Sequence, residues 1–366
     1  MNRTVLGIAA LVVFAGAAWG QGQPASGAQP VKEEVKADTL KVGDRAPALK
    51  VERFLKGEPV TGFEKGKVYV VEFWATWCGP CISSMPHISY LQKQYKDKGV
   101  TIIGVNIWED SKFDDATLKK VEDFVKAEPD RMAYTVAYDG GAKATDEAWM
   151  KAAGRRGIPS AFVVDKDGKI AWMGHPMQLD PVLEQVVEGK WDIVEGPKML
   201  DAAGKAFTEA ARLMGTDPKG GKAAWEKAEK DYPAIARTMN DRKFVTYLAG
   251  GHYQEAYALG GKAVDKAIAM KDTMALNQIA WTIVDPEGTV KTKDLDLALR
   301  AAEKAVELTK SQDGAILDTL ARVWFLKGDV EKAIHFQEMA IEKAPDRMKD
   351  ELRPALEEYR SKKSTR

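Results

Sequence analysis

The sequence predicts an α/β domain, a mixed sheet with helices on both faces, followed by an all-α domain. Three observations point there. Short β-branched runs alternate with helix-patterned segments up to Lys190, and beyond Pro197 every patterned segment has a helical period. The only two cysteines, Cys78 and Cys81, stand where the strongest strand pattern hands over to a helix.

Taken in order, residues 1–20 hold one positive charge, Arg3, an apolar run from Val5 to Trp19, and small residues at Ala18 and Gly20. This is the pattern of a cleaved export signal; the alternative, an uncleaved membrane anchor, meets a run that is short and rich in Gly and Ala. Residues 21–37, polar with Pro24 and Pro30, read as a flexible linker. The α/β domain is expected over 38–190. Its strands are Val68–Phe73, Thr101–Ile107, Ser160–Val164 and Lys169–Trp172, the last two joined by the turn Asp165-Lys166-Asp167-Gly168. A helix begins at the cysteines and carries the stripe Ile88, Leu91 and Tyr95; Leu118, Val121, Phe124 and Val125 mark a second helix. Pro181–Val187, capped by Asp180, forms the last.

The helix start governs the chemistry of the cysteines. Unpaired backbone N–H groups and the helix dipole favour an anion, so the Cys78 thiol is predicted to ionise below the free-cysteine value of about 8.5 and to act as nucleophile. Cys81, three positions on, projects from nearly the same face within disulfide reach and is the resolving thiol. A structural zinc site needs four ligands. With two cysteines and only His87, His175, His252 and His335, no ligand spacing exists, so no metal is expected; His87 and His175 read as structural or surface groups. A purely structural disulfide would close too short a loop to remove much chain entropy. Strand alternation turns Glu72 inward with Val70, where burial raises its pKa into a range suited to taking a proton near neutrality; the other reading is a solvated glutamate at an edge.

The string Trp74–Cys81, WATWCGPC, resembles the thioredoxin superfamily, and the resemblance runs from about Asp38 to Lys190. Val42-Gly43-Asp44 with Ala46-Pro47 resembles the opening of the exported TlpA/ResA-type branch. Pro86 falls where that family bends its active-site helix, and Glu109 to Gly154 resembles the branch's extra central segment. Gly157-Ile158-Pro159-Ser160 resembles the family's cis-proline loop. The resemblance implies a thioredoxin-like fold with Pro159 cis and opposite the cysteines. It also implies that the backbone of Ile158 is free to pair with an extended substrate, and that Glu72 relays protons to Cys81. Substrate contacts are expected at Trp77, Gly79, Pro80, Ile158 and Pro159, with Trp77 exposed and Trp74 in the core. Two positions depart from the pattern: Gly104 stands where thioredoxin has a lysine that pairs with the acid, and Ser84 where many TlpA-type proteins have a glutamate.

After a change of texture at Gly189–Pro197, residues 197–366 carry a degenerate repeat. Leu317, Leu320, Ala321, Trp324, Gly328, Ala333, Ala340 and Pro345 match tetratricopeptide spacing. Ala280, Ala298 and Ala305 fit with an insertion around Asp285–Lys293, and Tyr247, Gly251, Ala256 and Ala263 fit with fewer anchors. An irregular helical bundle is the alternative. No phosphate loop or titratable cluster marks this half, so its expected task is to bind a protein partner.

Lys plus Arg and Asp plus Glu each total 54, which leaves no basic footprint for nucleic acid. The expected function is extracytoplasmic thiol–disulfide exchange with no cofactor beyond the Cys78–Cys81 disulfide. The Gly79-Pro80 pair resembles reducing members, although potentials in this fold span about 150 mV. By resemblance, substrates are protein disulfides, such as those of apocytochromes or metallochaperones, and electrons come from a membrane thiol carrier. Two other readings are a repeat scaffold with vestigial redox and a peroxiredoxin-like thiol peroxidase, the latter because Ala46-Pro47 and a long insert also occur in such chains.

Overall fold

Strand β2 (Val68–Trp74) is buried along its whole length, as expected of a β-branched and aromatic run with one polar residue. The computed structural model describes residues 39–109 and 114–364; the expected export signal and linker lie outside them. β2 pairs in parallel with β3 (Val100–Asn106) and antiparallel with β5 (Ser160–Val164). The six-stranded sheet is completed by β1 (Arg53–Lys56), β4 (Thr135–Tyr138) and β6 (Ile170–Gly174), in the order β1-β4-β3-β2-β5-β6.

The sheet is mixed, as expected, and alternation along β2 splits its side chains between two cores. Val68, Val70 and Trp74 face α1 (Gly79–Tyr95), α2 (Asp115–Ala127) and α4 (Leu179–Glu188). Tyr69, Val71 and Phe73 face Trp149 and Phe162, whose rings meet edge-on at 5.3 Å. Trp149 lies in the short helical passage that starts with α3 (Ala144–Asp146) and continues to Lys151.

Two strands have no counterpart in the sequence reading. β1 and β4 are four residues each, β1 is half-buried at the sheet edge, and their strand character comes from pairing with each other and with β3 rather than from their own pattern. The expected cap of the last helix is also corrected. Asp180 lies inside the first turn of α4; the chain already turns at Pro176–Gln178, where His175 Nδ1 accepts the Met177 N–H at 3.2 Å. The Asp180 carboxylate instead reaches His87 Nε2 at 2.7 Å.

From Glu195 onward the described chain is helical. α5 (Glu195–Met214) packs on α6 (Pro218–Asp231), and after the single turn α7 (Pro233–Ala236), α8 (Asn240–Ala249) packs on α9 (Tyr253–Ala269). α10 (Thr273–Val284) packs on α11 (Leu295–Leu308), and α12 (Gly314–Lys327) on α13 (Val330–Lys343), with α14 (Asp346–Ser364) closing the series. Between α12 and α13, Gly328 takes the left-handed conformation (φ 87°) and Asp329 caps the next helix, while Ala321, Ala333 and Ala340 are fully buried where the helices approach. The sheet and these helices belong to one compact unit of contacts.

Candidate active site

β2 ends at Trp74, and four residues later Cys78 is the N-cap of α1, with extended backbone (φ −84°, ψ 93°). Pro80 sits in the first turn of α1, where a missing N–H costs nothing. The Cys78 Sγ accepts the Cys81 N–H at 3.2 Å, so a donor left free by the helix start points at the sulfur. Cys78 and Cys81 are bonded, with Cα atoms 5.2 Å apart, and both are buried. The Ile158–Pro159 bond is cis, and the Ile158 carbonyl oxygen lies 3.8 Å from Cys78 Sγ. Gly79 and Pro80 are exposed on one side of the sulfur pair and Pro159 is buried on the other.

Trp77 is 57 % exposed and held by its indole N–H, which donates to the Trp108 carbonyl at 2.7 Å; Trp74 is in the core. The turn before the cysteines is fixed by a residue the sequence reading missed. Glu109 Oε1 accepts from the Thr76 N–H (2.6 Å) and Asn106 Nδ2 (2.7 Å), and Oε2 from Thr76 Oγ1 (2.6 Å) and Lys120 Nζ (2.9 Å). Burial pushes this carboxyl up, but the four donors outweigh it and hold it below the usual carboxylate range. The parallel register of β2 and β3, with Trp74 opposite Asn106, brings residues just past both strand ends to the same edge, a placement that no local pattern in the sequence carries.

Glu72 is fully buried on β2, opposite Gly104 on one side and Ala161 on the other, and neither carboxyl oxygen has a hydrogen-bond partner. Burial raises its pKa to about 8. Gly104 explains the space it occupies. A Cβ there would stand 2.7 Å from Tyr134 Cε2, 3.1 Å from Glu72 Oε2 and 3.3 Å from Trp74 Nε1. Where thioredoxin has a lysine, three polar-tipped side chains crowd instead, with no cation among them. The Ser84 hydroxyl, at the other departure, donates to the Cys81 carbonyl at 2.8 Å. His87 and His175 play the structural parts described above. Among the described residues, no group of three or more His, Cys, Asp or Glu could hold a metal ion.

The redoxin family profile matches residues 41–187. The chain is 34 % identical over 178 residues to protein FixW of Rhizobium leguminosarum, covering 49 % of this chain and 79 % of that protein. It is likewise 34 % identical over 136 residues to the thiol-disulfide oxidoreductase ResA of Bacillus thuringiensis, covering 37 % of this chain and 70 % of the relative. The chain belongs to the ResA-like branch of the thioredoxin superfamily. Among solved structures, a thiol:disulfide interchange protein of Chlorobium tepidum is 27 % identical, with 39 % of this chain and 95 % of that one covered and a TM-score of 0.30. This ResA-like protein is a thiol–disulfide oxidoreductase, and protein disulfides are the substrates its family implies. The family match ends at Val187, before the helices from Glu195 onward.

Proposed function

We propose that the protein is an exported reductase of protein disulfides, organised as signal 1–20, linker 21–37, thioredoxin-like domain 38–190 and tetratricopeptide-like partner-binding domain 197–366. The observation that carries the redox reading is the Cys78 sulfur at a helix N-terminus, accepting a backbone N–H and lying beside the cis-Pro159 loop. In the reduced enzyme the Cys78 thiolate attacks one sulfur of a substrate disulfide, and the other substrate sulfur leaves as a thiolate and takes up a proton. Cys81 gives its proton to Glu72, attacks Cys78 Sγ and displaces the second substrate sulfur. Two electrons pass from the dithiol to the substrate, and a membrane thiol carrier returns them. With a pKa of about 8, Glu72 accepts that proton in its ionised fraction, which grows as pH rises toward 8. Trp77, Gly79, Pro80, Ile158 and Pro159 frame the approach of the substrate chain. The export reading rests on the apolar run of residues 1–20; no helix of the described residues is long and apolar enough to cross a membrane. The paired helices with buried alanines at the α12–α13 crossing favour the repeat reading over an irregular bundle.

Insulin reduction tests the function. The reduced protein should precipitate insulin B chain, Cys78→Ser should fall to background, and Cys81→Ser should accumulate mixed disulfides with its natural partners. Undiminished reduction by Cys78→Ser would contradict the proposal.

A further inference from the structure

A cleft of about 200 Å³ opens between α1 and the helices α8 to α10, next to the redox centre but outside it. Its apolar wall is formed by Met177, Phe244, Val245, Ala263 and Ile279, with Ser83 of α1 at the edge. We propose that this cleft receives an apolar side chain of the oxidised protein substrate, taken from the stretch of chain flanking the cysteine that becomes joined to Cys78. The inference deepens the reductase reading and rests on it.

Continuity with the dithiol selects this occupant. Ser83 follows Cys78 by five residues on the same helix, about 7 Å along its axis. Met177 follows the end of β6 by three residues, and Gly174 at that end pairs with Ala161, two residues past cis-Pro159. Ser83 and Met177 of the lining thus tie the cleft to the active-site helix and to the strand paired beside the cis-Pro159 loop, and about three extended residues span the roughly 7 Å along α1 from Cys78.

Met177 and Val245 in the lining are 52 and 46 % exposed, and the 53 % exposed Met274 of α10 places its Sδ 3.7 Å from Ser83 Oγ, bringing α10 against α1. Thioether side chains adapt to differently shaped apolar groups. An apolar cavity of about 150 Å³ holds a benzene ring, so a leucine or phenylalanine side chain fits this volume.

The charged groups in the lining already have partners within the protein. His87 Nε2 lies 2.7 Å from Asp180, Lys266 lies 3.8 Å from Asp241, and Asp272 accepts the Ala275 N–H at 2.9 Å. The cleft offers apolar surface rather than an ion site.

The test uses the reduced full-length protein with disulfide-bridged synthetic peptides that carry leucine or glycine two, three or four residues from the cysteine. At one or more spacings, kcat/KM should favour leucine about tenfold, the gain expected from burying such a side chain. Val245→Asp and Met274→Asp change exposed positions; each should abolish the preference while leaving reduction of bis(2-hydroxyethyl) disulfide unchanged. No leucine preference in the wild type, or a preference that survives both substitutions, overturns the cleft. Failure of the wild type to reduce any of these disulfides overturns the reductase reading and the cleft with it.

Discussion

Glu72 illustrates how one side chain can set a pH dependence for the whole fold. Its carboxyl is buried without a hydrogen-bond partner, and its pKa rises from 4.5 to about 8 on folding. Between those values the folded state keeps a proton that the unfolded chain has released. The resulting stabilisation is full below pH 4.5, falls as pH rises, and is gone above about 8. The slope inside that window reaches about 1.4 kcal/mol per pH unit. Urea unfolding of the oxidised protein at several pH values should show this decline, and Glu72→Gln should flatten it. An unchanged slope in the variant would place the responsible group elsewhere. The inward direction of Glu72 was legible from the alternation along β2. The crowding of Tyr134 and Trp74 around Gly104 was not, because Tyr134 arrives from a segment whose register no local pattern reveals.

At the level of elements, long self-sufficient patterns were readable and short dependent ones were not. β2, β3, β5 and β6 lie within two residues of their expected limits because their apolar runs are continuous or end in a recognisable turn, as at Asp165–Gly168. β1 and β4 escaped because four residues carry too little period, and a neighbouring strand decides their conformation. The turn from β2 into α1 likewise depends on a distant residue, Glu109. Glu109→Ala leaves the Thr76 N–H and the Asn106 amide without their acceptor. We expect a loss of about 1–3 kcal/mol in urea unfolding, together with faster amide exchange at Thr76 and Trp77. Exchange that stays at wild-type rates would show that the turn holds itself.

Across the molecule, the redox region was legible because its chemistry sits in two contiguous strings, Trp74–Cys81 and Gly157–Ser160, which the fold brings to within 3.8 Å. The helical region was legible as helices. Its placement beside the dithiol was not, since Met177, Val245 and Met274 come from three separate elements with no common pattern. The account as a whole depends on an anionic sulfur stabilised by the start of α1. The pH dependence of iodoacetamide alkylation of Cys78, measured on the reduced Cys81→Ser protein, tests this most directly. The account predicts a midpoint well below the value of about 8.5 for free cysteine; a midpoint at or above that value would contradict it.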